Sequence, residues 1–194
     1  MFKSIKKLVI LVILAFVIYT AVQLMNFLFP VRYNETAEKY AGVNNMDVSI
    51  VYAIINAESR FDSNAVSNKG AEGLMQLKKD TALWCLEKMG EPAKDVNLRD
   101  PETNIKIGTW YFSYLKNKLE SEDLAIIAYN AGISNVNRWL DEGLVDEFVT
   151  NPDTIPYPET KKYIKKVRFY KRIYTEIKKV TIFTDKIKMS GGII

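Results

Sequence analysis

Apolar and polar positions divide this chain into one long uncharged run followed by a series of short periodic segments. The run is Leu8 to Phe29, broken only by Thr20, Gln23 and Asn26. At about 1.5 Å per helical residue it is long enough to cross a hydrocarbon core of about 30 Å. After it, "NNMDVSIVYAIINAES" offers Asn45 or Asp47 as an N-cap with an apolar face behind it. "SRFDSNAVSNKGAEG" is rich in Ser, Asn, Asp and Gly and reads as a loop. "KKDTALWCLEKMG" is a helix with Asp80 near its start and Gly90 past its end. "RDPETNIKIGTWYFSYLKNKL" combines Asp100 as cap, Pro101 at the first helical position and Glu102 in the first turn. "SEDLAIIAYNAG" and "SNVNRWLDEG" read as short helices, "NPDTIPYPET" as a proline-punctuated loop, and "KKYIKKVRFYKRIYTEIKKV" as a final basic helix. Sustained period-two alternation is missing, so the expected class is all-α, with room for a small hairpin within residues 60–76.

The charges around the uncharged run orient it. Lys3, Lys6 and Lys7 precede it and only Arg32 soon follows, which places the N-terminus in the cytoplasm and the remainder outside. The run is longer than a signal-peptide core, and neither a small-x-small cleavage site nor a lipid-bearing cysteine follows it. The expected layout is a cytoplasmic stub at 1–7, a signal anchor at 8–29, a linker at 30–39, a globular domain at 40–180 and a tail at 181–194.

Composition then narrows the chemistry. Apolar residues make up 48% of 194 positions, ample for one packed core. Histidine is absent, which removes Ser–His–Asp and Cys–His catalysis and His-containing zinc sites. Cys85 is the single cysteine, so no internal disulfide forms, and its helical setting predicts a buried, inert thiol. Neither a phosphate-binding Gly-rich loop nor an EF-hand loop is present, and no metal or cofactor is expected. The net charge of +4 is mild and gives no reason to expect nucleic-acid binding. Lys161 to Lys188 carries eleven Lys or Arg against Glu176 and Asp185. A stripe of Tyr163, Val167, Tyr170, Tyr174 and Ile177 runs through it, as in a helix packed on the domain with a solvated basic face. Attraction to anionic wall polymer or lipid head groups is compatible with that. Trp84 and Trp110 are expected in the core. Trp139 is expected there too, with a sugar subsite as its alternative.

One position breaks the helical pattern. Val51, Ile54 and Ile55 follow a buried stripe, and the next place on it is Glu58. A carboxyl on an apolar face loses hydration, its pKa rises, and it can serve as a general acid. The alternative is a structural Glu58 at the helix end, paired with Arg60 or Lys69.

The surrounding residues decide between these. "ESRFDSNAVSNKGAEGLMQL", Glu58 to Leu77, resembles without a gap the signature of the SLT-type lytic transglycosylases, lysozyme-like bacterial enzymes that cut peptidoglycan strands. "AIIAYNAG", with Tyr129 and Asn130, resembles their second motif, and "YPETKKYIKKV", with Glu159, Thr160 and Tyr163, their last. The likeness covers roughly Tyr40 to Ile173. It departs at Leu77-Lys78-Lys79-Asp80, where the family often has Ile-Met-Pro, so that Lys78 takes the place of a methionine at the sugar cleft.

The resemblance implies a lysozyme-like all-α domain on a membrane anchor, facing the cell wall of a bacterium. It implies cleavage of the MurNAc-β-1,4-GlcNAc bond with Glu58 as acid and then base, closing a 1,6-anhydro ring. Ser67, Gln76, Tyr129, Asn130, Glu159 and Tyr163 would bind substrate: Ser67 near the acetamido group, Gln76 as donor and acceptor, Tyr129 on a sugar face, Asn130 on an amide, Glu159 holding the cleft and Tyr163 in its wall. A hydrolytic muramidase would instead need a second carboxylate, for which Asp62, Glu72 and Glu159 are the candidates. A wall-binding scaffold of an envelope assembly machine would need no Glu58 chemistry at all.

Overall fold

The computed structural model describes residues 2–191, with side chains over 5–182. The chain falls into two units that divide between Arg32 and Tyr33. The first holds α1 (Phe2–Leu28), whose segment Ile5–Leu28 is long and apolar enough to cross a membrane. Leu8, Leu11, Leu14 and Ile18 are all exposed. A helix that presents apolar side chains to its surroundings on every face has the pattern of a membrane span.

The second unit is built of helices: α2 (Asn34–Val43), α3 (Val48–Glu58), α4 (Lys79–Met89), α5 (Pro101–Leu119), α6 (Glu122–Ala131), α7 (Ile133–Asp141) and α8 (Pro158–Gly191). α8 continues through most of the stretch expected to be a tail, and residues 192–194 lie outside the described residues. The caps follow the sequence. Asp47, rather than Asn45, caps α3 by accepting from Ser49 N–H at 2.9 Å. Asp100 caps α5 by accepting from Thr103 N–H at 2.9 Å, and Ser121 opens α6. Gly132, at φ +85°, ends α6 and starts α7.

α3 is the central element. Every residue from Val48 to Asn56 is buried, so the stripe read from the sequence is one side of a helix enclosed all round. α8 packs along it. Tyr163, Ile164, Val167 and Tyr174 of α8 are buried, and Tyr174 stands 5.4 Å from the Tyr52 ring and 6.4 Å from Phe61. The Asn56 amide donates to the Tyr174 hydroxyl at 3.0 Å. Trp139 is fully buried, whereas Trp84 and Trp110 are only half-buried. Those two expected core residues instead form an edge-packed aromatic group with Tyr114. Cys85 is buried, and burial pushes its thiol up to about 12, which leaves it inert at neutral pH.

Between α3 and α4 the chain forms a small hairpin, β1 (Ala71–Glu72) and β2 (Leu77–Lys78), paired antiparallel with Ala71 opposite Lys78. Its second strand lies just beyond the segment in which a hairpin was anticipated. Asn104 of α5 holds this hairpin from below. Its Oδ1 accepts from Met75 N–H at 2.7 Å, and its Nδ2 donates to Leu98 O at 2.7 Å and Glu72 O at 3.0 Å. The approach is close enough that a Cβ on Gly73 would stand 2.0 Å from Leu98 O and 2.3 Å from Asn104 Nδ2. Gly73 also has φ +78°, so glycine is required twice over. Asn104→Leu strands one buried donor and two acceptors, and is expected to destabilise the domain by about 3 kcal/mol in thermal or denaturant unfolding.

Candidate active site

Glu58 is the last residue of α3, and the backbone beyond it is strained. Arg60 (φ 54°) and Phe61 (φ 65°) both adopt left-handed conformations without being glycine, a cost that neighbouring packing must offset. Phe61 supplies that packing, since it is 1% exposed and lies 6.3 Å from the Tyr52 ring. The Ser59 hydroxyl donates to Leu74 O at 2.8 Å, tying the end of α3 to the hairpin loop. The helix therefore stops at Glu58 and delivers its carboxyl to a cleft of about 360 Å³.

The cleft has three walls. The loop and hairpin contribute Ser67, Lys69, Gln76 and Lys78. α5 and α6 contribute Tyr111, Tyr129 and Asn130. The start of α8 contributes Glu159. The side chains expected at the site thus converge, with one exception. Tyr163 is buried behind Glu58 instead of lining the cleft. Its hydroxyl makes no hydrogen bond of ordinary geometry, yet it faces the Glu58 carboxyl closely enough to favour the charged form.

Several side chains are already partly engaged. Gln76 donates both amide protons to backbone, to Gly73 O at 3.0 Å and Ala65 O at 3.1 Å. It can therefore offer a ligand only its oxygen, not the donor and acceptor pair anticipated. Tyr129 donates to Met75 O at 2.9 Å, which fixes its ring in the wall. The Thr160 hydroxyl donates to Asn130 Oδ1 at 2.7 Å. Ser67 Oγ accepts from Ala71 N–H at 3.0 Å.

Glu58 has neither of the ion-pair partners considered for it. Arg60 is exposed, and Lys69 pairs instead with Glu159 at 3.1 Å. Burial pushes the Glu58 carboxyl up to about 7. The Tyr163 hydroxyl and the Lys166 charge oppose that rise, and the Glu159 charge adds to it. Lys166 was not anticipated. Its Nζ donates to Ala57 O at 2.7 Å, beside the carboxyl, and burial with the Arg60 charge lowers its pKa. The sequence held one clue to it, its place one helical turn after Tyr163. Tyr111 was also missed, because an aromatic residue on an amphipathic helix looks like core.

The Transglycosylase SLT domain family matches residues 35–144, more than half of the chain. The chain belongs to the SLT transglycosylase family. It is 34% identical over 151 residues to the soluble lytic murein transglycosylase of Escherichia coli K12, covering 75% of this chain and 23% of that protein. It is 31% identical over 178 residues to membrane-bound lytic murein transglycosylase C of Sodalis glossinidius, covering 76% of this chain and 50% of that one. Among solved structures, the 70 kDa soluble lytic transglycosylase of Escherichia coli superposes with a TM-score of 0.72 at 32% identity, over 77% of this chain and 25% of that one. The Pseudomonas aeruginosa lytic transglycosylase Slt, solved as an inactive Glu-to-Gln mutant, gives 0.71 at 32% identity, over 78% and 25%. This SLT chain thus spans about a quarter of the soluble relatives and half of the membrane-bound one. The lysozyme-like all-α architecture expected from the motifs is the architecture found.

The raised pKa links the site to stability. The folded chain holds the Glu58 proton more tightly than the unfolded chain, so stability falls as pH rises from the ordinary 4.5 towards 7. Glu58→Gln, which never ionises, is expected to gain on wild type across that window. The advantage should level off above it at up to about 3 kcal/mol, read as unfolding midpoints at pH 4, 6 and 8.

Proposed function

We propose that this SLT domain is a peptidoglycan lytic transglycosylase that cleaves the MurNAc-β-1,4-GlcNAc bond without water. The observation that carries this reading is a single half-buried carboxyl, poised near neutral pH, at the floor of a cleft with no second carboxylate free to attack. Asp62 is exposed and accepts from Asn64 N–H at 2.9 Å. Glu72 pairs with Arg99 at 3.0 Å. Glu159 reaches the cleft but is 70% exposed and paired with Lys69. Among the described residues, each candidate for the second member of a two-carboxylate hydrolase is thus exposed or ion-paired.

With pKa about 7, Glu58 is substantially protonated at neutral pH, the condition for a general acid. It gives its proton to the glycosidic oxygen as the C1–O bond breaks, while the sugar's own 2-acetamido group supports C1. The resulting carboxylate then takes the proton from the muramic acid 6-hydroxyl. That oxygen closes on C1 and forms the 1,6-anhydro ring, so the nucleophile belongs to the substrate and Glu58 ends as it began. The half-buried setting strengthens both proton transfers by keeping bulk water from the carboxyl. Ser67, the Gln76 oxygen, Asn130 and Tyr129 are the side chains we assign to sugar contact. Glu159, with Lys69, borders the cleft, and Tyr163 faces the carboxyl from behind and favours its charged form.

The anchor reading supports where this happens. Ile5–Leu28 would cross the cytoplasmic membrane with its lysine-flanked end inside, leaving the domain against the wall. The membrane-bound relative is consistent with that placement.

Two outcomes test the proposal. The full chain in detergent, acting on purified peptidoglycan, is expected to release anhydro-muropeptides by mass spectrometry, and Glu58→Gln to release at least about a hundredfold less. Products with ordinary reducing ends would mean a hydrolase, and unchanged cellular function of Glu58→Gln a scaffold. The second outcome concerns pH. Because the first step needs protonated Glu58, kcat/KM is expected to fall about tenfold per pH unit above about 7.

A further inference from the structure

A second cavity of about 380 Å³ opens on the α2–α5 side of the domain, with no residue in common with the catalytic cleft. Its floor is aromatic. Trp110 and Tyr114, one turn apart on α5, stack at 5.6 Å with their planes 17° apart. Both are half-buried, and both face the cavity. Trp84 supports them edge-on, 6.0 Å from Trp110 and 5.0 Å from Tyr114.

The rim is mostly polar, with Asn44, Asn45, Ser113, Lys116 and Asn117 beside the exposed Val43. Lys116 lies 3.9 Å from the Glu122 carboxylate, which it shares with Lys171, and Lys118 stands 6.0 Å over the Tyr114 ring. Asn44 and Ser113 are engaged within the protein. Asn45 and Asn117 are exposed and carry side-chain amides without a protein partner among the described residues. Asn45 is also held at φ 51°, a left-handed conformation, at the turn after α2.

Aromatic rings beside neutral amides match a particular ligand chemistry. A sugar ring offers an apolar C–H face to stack, and hydroxyl and acetamido groups at its edge that both donate and accept.

We infer that this cavity is an auxiliary binding site for a β-1,4-linked N-acetylhexosamine strand, lying outside the catalytic cleft. The inference takes its ligand class from the proposed activity on peptidoglycan. One helix serves both sites, since Tyr111 lines the cleft while Trp110 and Tyr114 floor the second cavity, and Trp84 touches all three rings. A polymer held at one site raises its own effective concentration at the other. The auxiliary site therefore favours long strands over short fragments.

The test uses the full chain in detergent, first with Glu58→Gln so that nothing is cut. Isotope-labelled protein is titrated with chitotetraose while the Trp110 indole and the Asn45 and Asn117 side-chain amides are followed by NMR. Saturable shifts of those signals are expected, and in the Asn45→Ala/Asn117→Ala double variant the Trp110 indole shift is lost while the Gln76 signal still responds. Shifts confined to the cleft overturn the inference. In the active chain the same double variant is expected to raise KM for insoluble peptidoglycan about threefold to tenfold, the cost of losing one or two such contacts. Turnover of short soluble muropeptides should not change. Equal losses on both substrates, or none on either, overturn the inference. A wild-type chain that cuts nothing defeats the catalytic reading alone, because the titration needs no turnover. Both substituted asparagines are exposed, and Asn117→Ala alone, which avoids the left-handed position of Asn45, controls for backbone strain.

Discussion

The carboxyl of Glu58 stands at the end of a helix enclosed on every side, and the domain is organised around that enclosure. α3 can be buried from Val48 to Asn56 because its side chains are mostly apolar and Asn56 is satisfied by Tyr174, although the buried Ser49 hydroxyl has no hydrogen-bond partner among the described residues. The first residue beyond Asn56 that cannot be satisfied by packing is Glu58. Its position at the last turn lets the backbone leave the core there and open the cleft. The same burial that holds the helix in place withdraws water from the carboxyl and raises its pKa. Fold and chemistry thus depend on one constraint.

The remaining parts can be read as supports for that arrangement. The strained turn at Arg60 and Phe61 redirects the chain at once, and Phe61 holds it down among Tyr52 and Tyr174. Asn104 and Gly73 then lock the returning hairpin onto α5, so that Ser67 and Gln76 meet the cleft from a loop with little freedom. Tyr129 is braced by the same loop through Met75 O. By contrast, the Lys69–Glu159 pair is exposed at 71% and 70%. It contributes little to stability and leaves the mouth of the cleft adjustable. A rigid floor and a loose rim suit the proposed cleavage of a polymer at one bond.

Charge on α8 has a similar division. Four of its basic residues are taken by acids of the domain: Lys165 by Asp153, Arg168 by Asp123, Lys171 by Glu122 and Lys178 by Asp47. The helix expected from its sequence to pack on the domain with a solvated basic face is in part fastened along it by these pairs. Lys166 is the exception with a bearing on the site, since it turns inward to Ala57 O and moderates the charge on Glu58.

Local physics made much of this legible in the sequence alone. Caps, proline and glycine marked the helices, because those residues act on their own backbone. The uncharged run marked α1, because length and polarity suffice to describe a span. Glu58 stood out because it broke a period, and the motifs at Ser67, Gln76, Tyr129, Asn130 and Glu159 stood with it. The tertiary structure alone decided what each side chain spends on its neighbours. Gln76 gives both its protons to the loop, Tyr163 lies behind the acid, Trp84 and Trp110 reach the surface, and Lys166 enters the site. Those outcomes depend on which elements pack together across long separations in the chain, and a hydrogen bond between Tyr129 and Met75 or Thr160 and Asn130 leaves no periodic trace in either segment. The sequence carries the local preferences of each residue, whereas burial and partnership belong to the pair and exist only once the chain has folded.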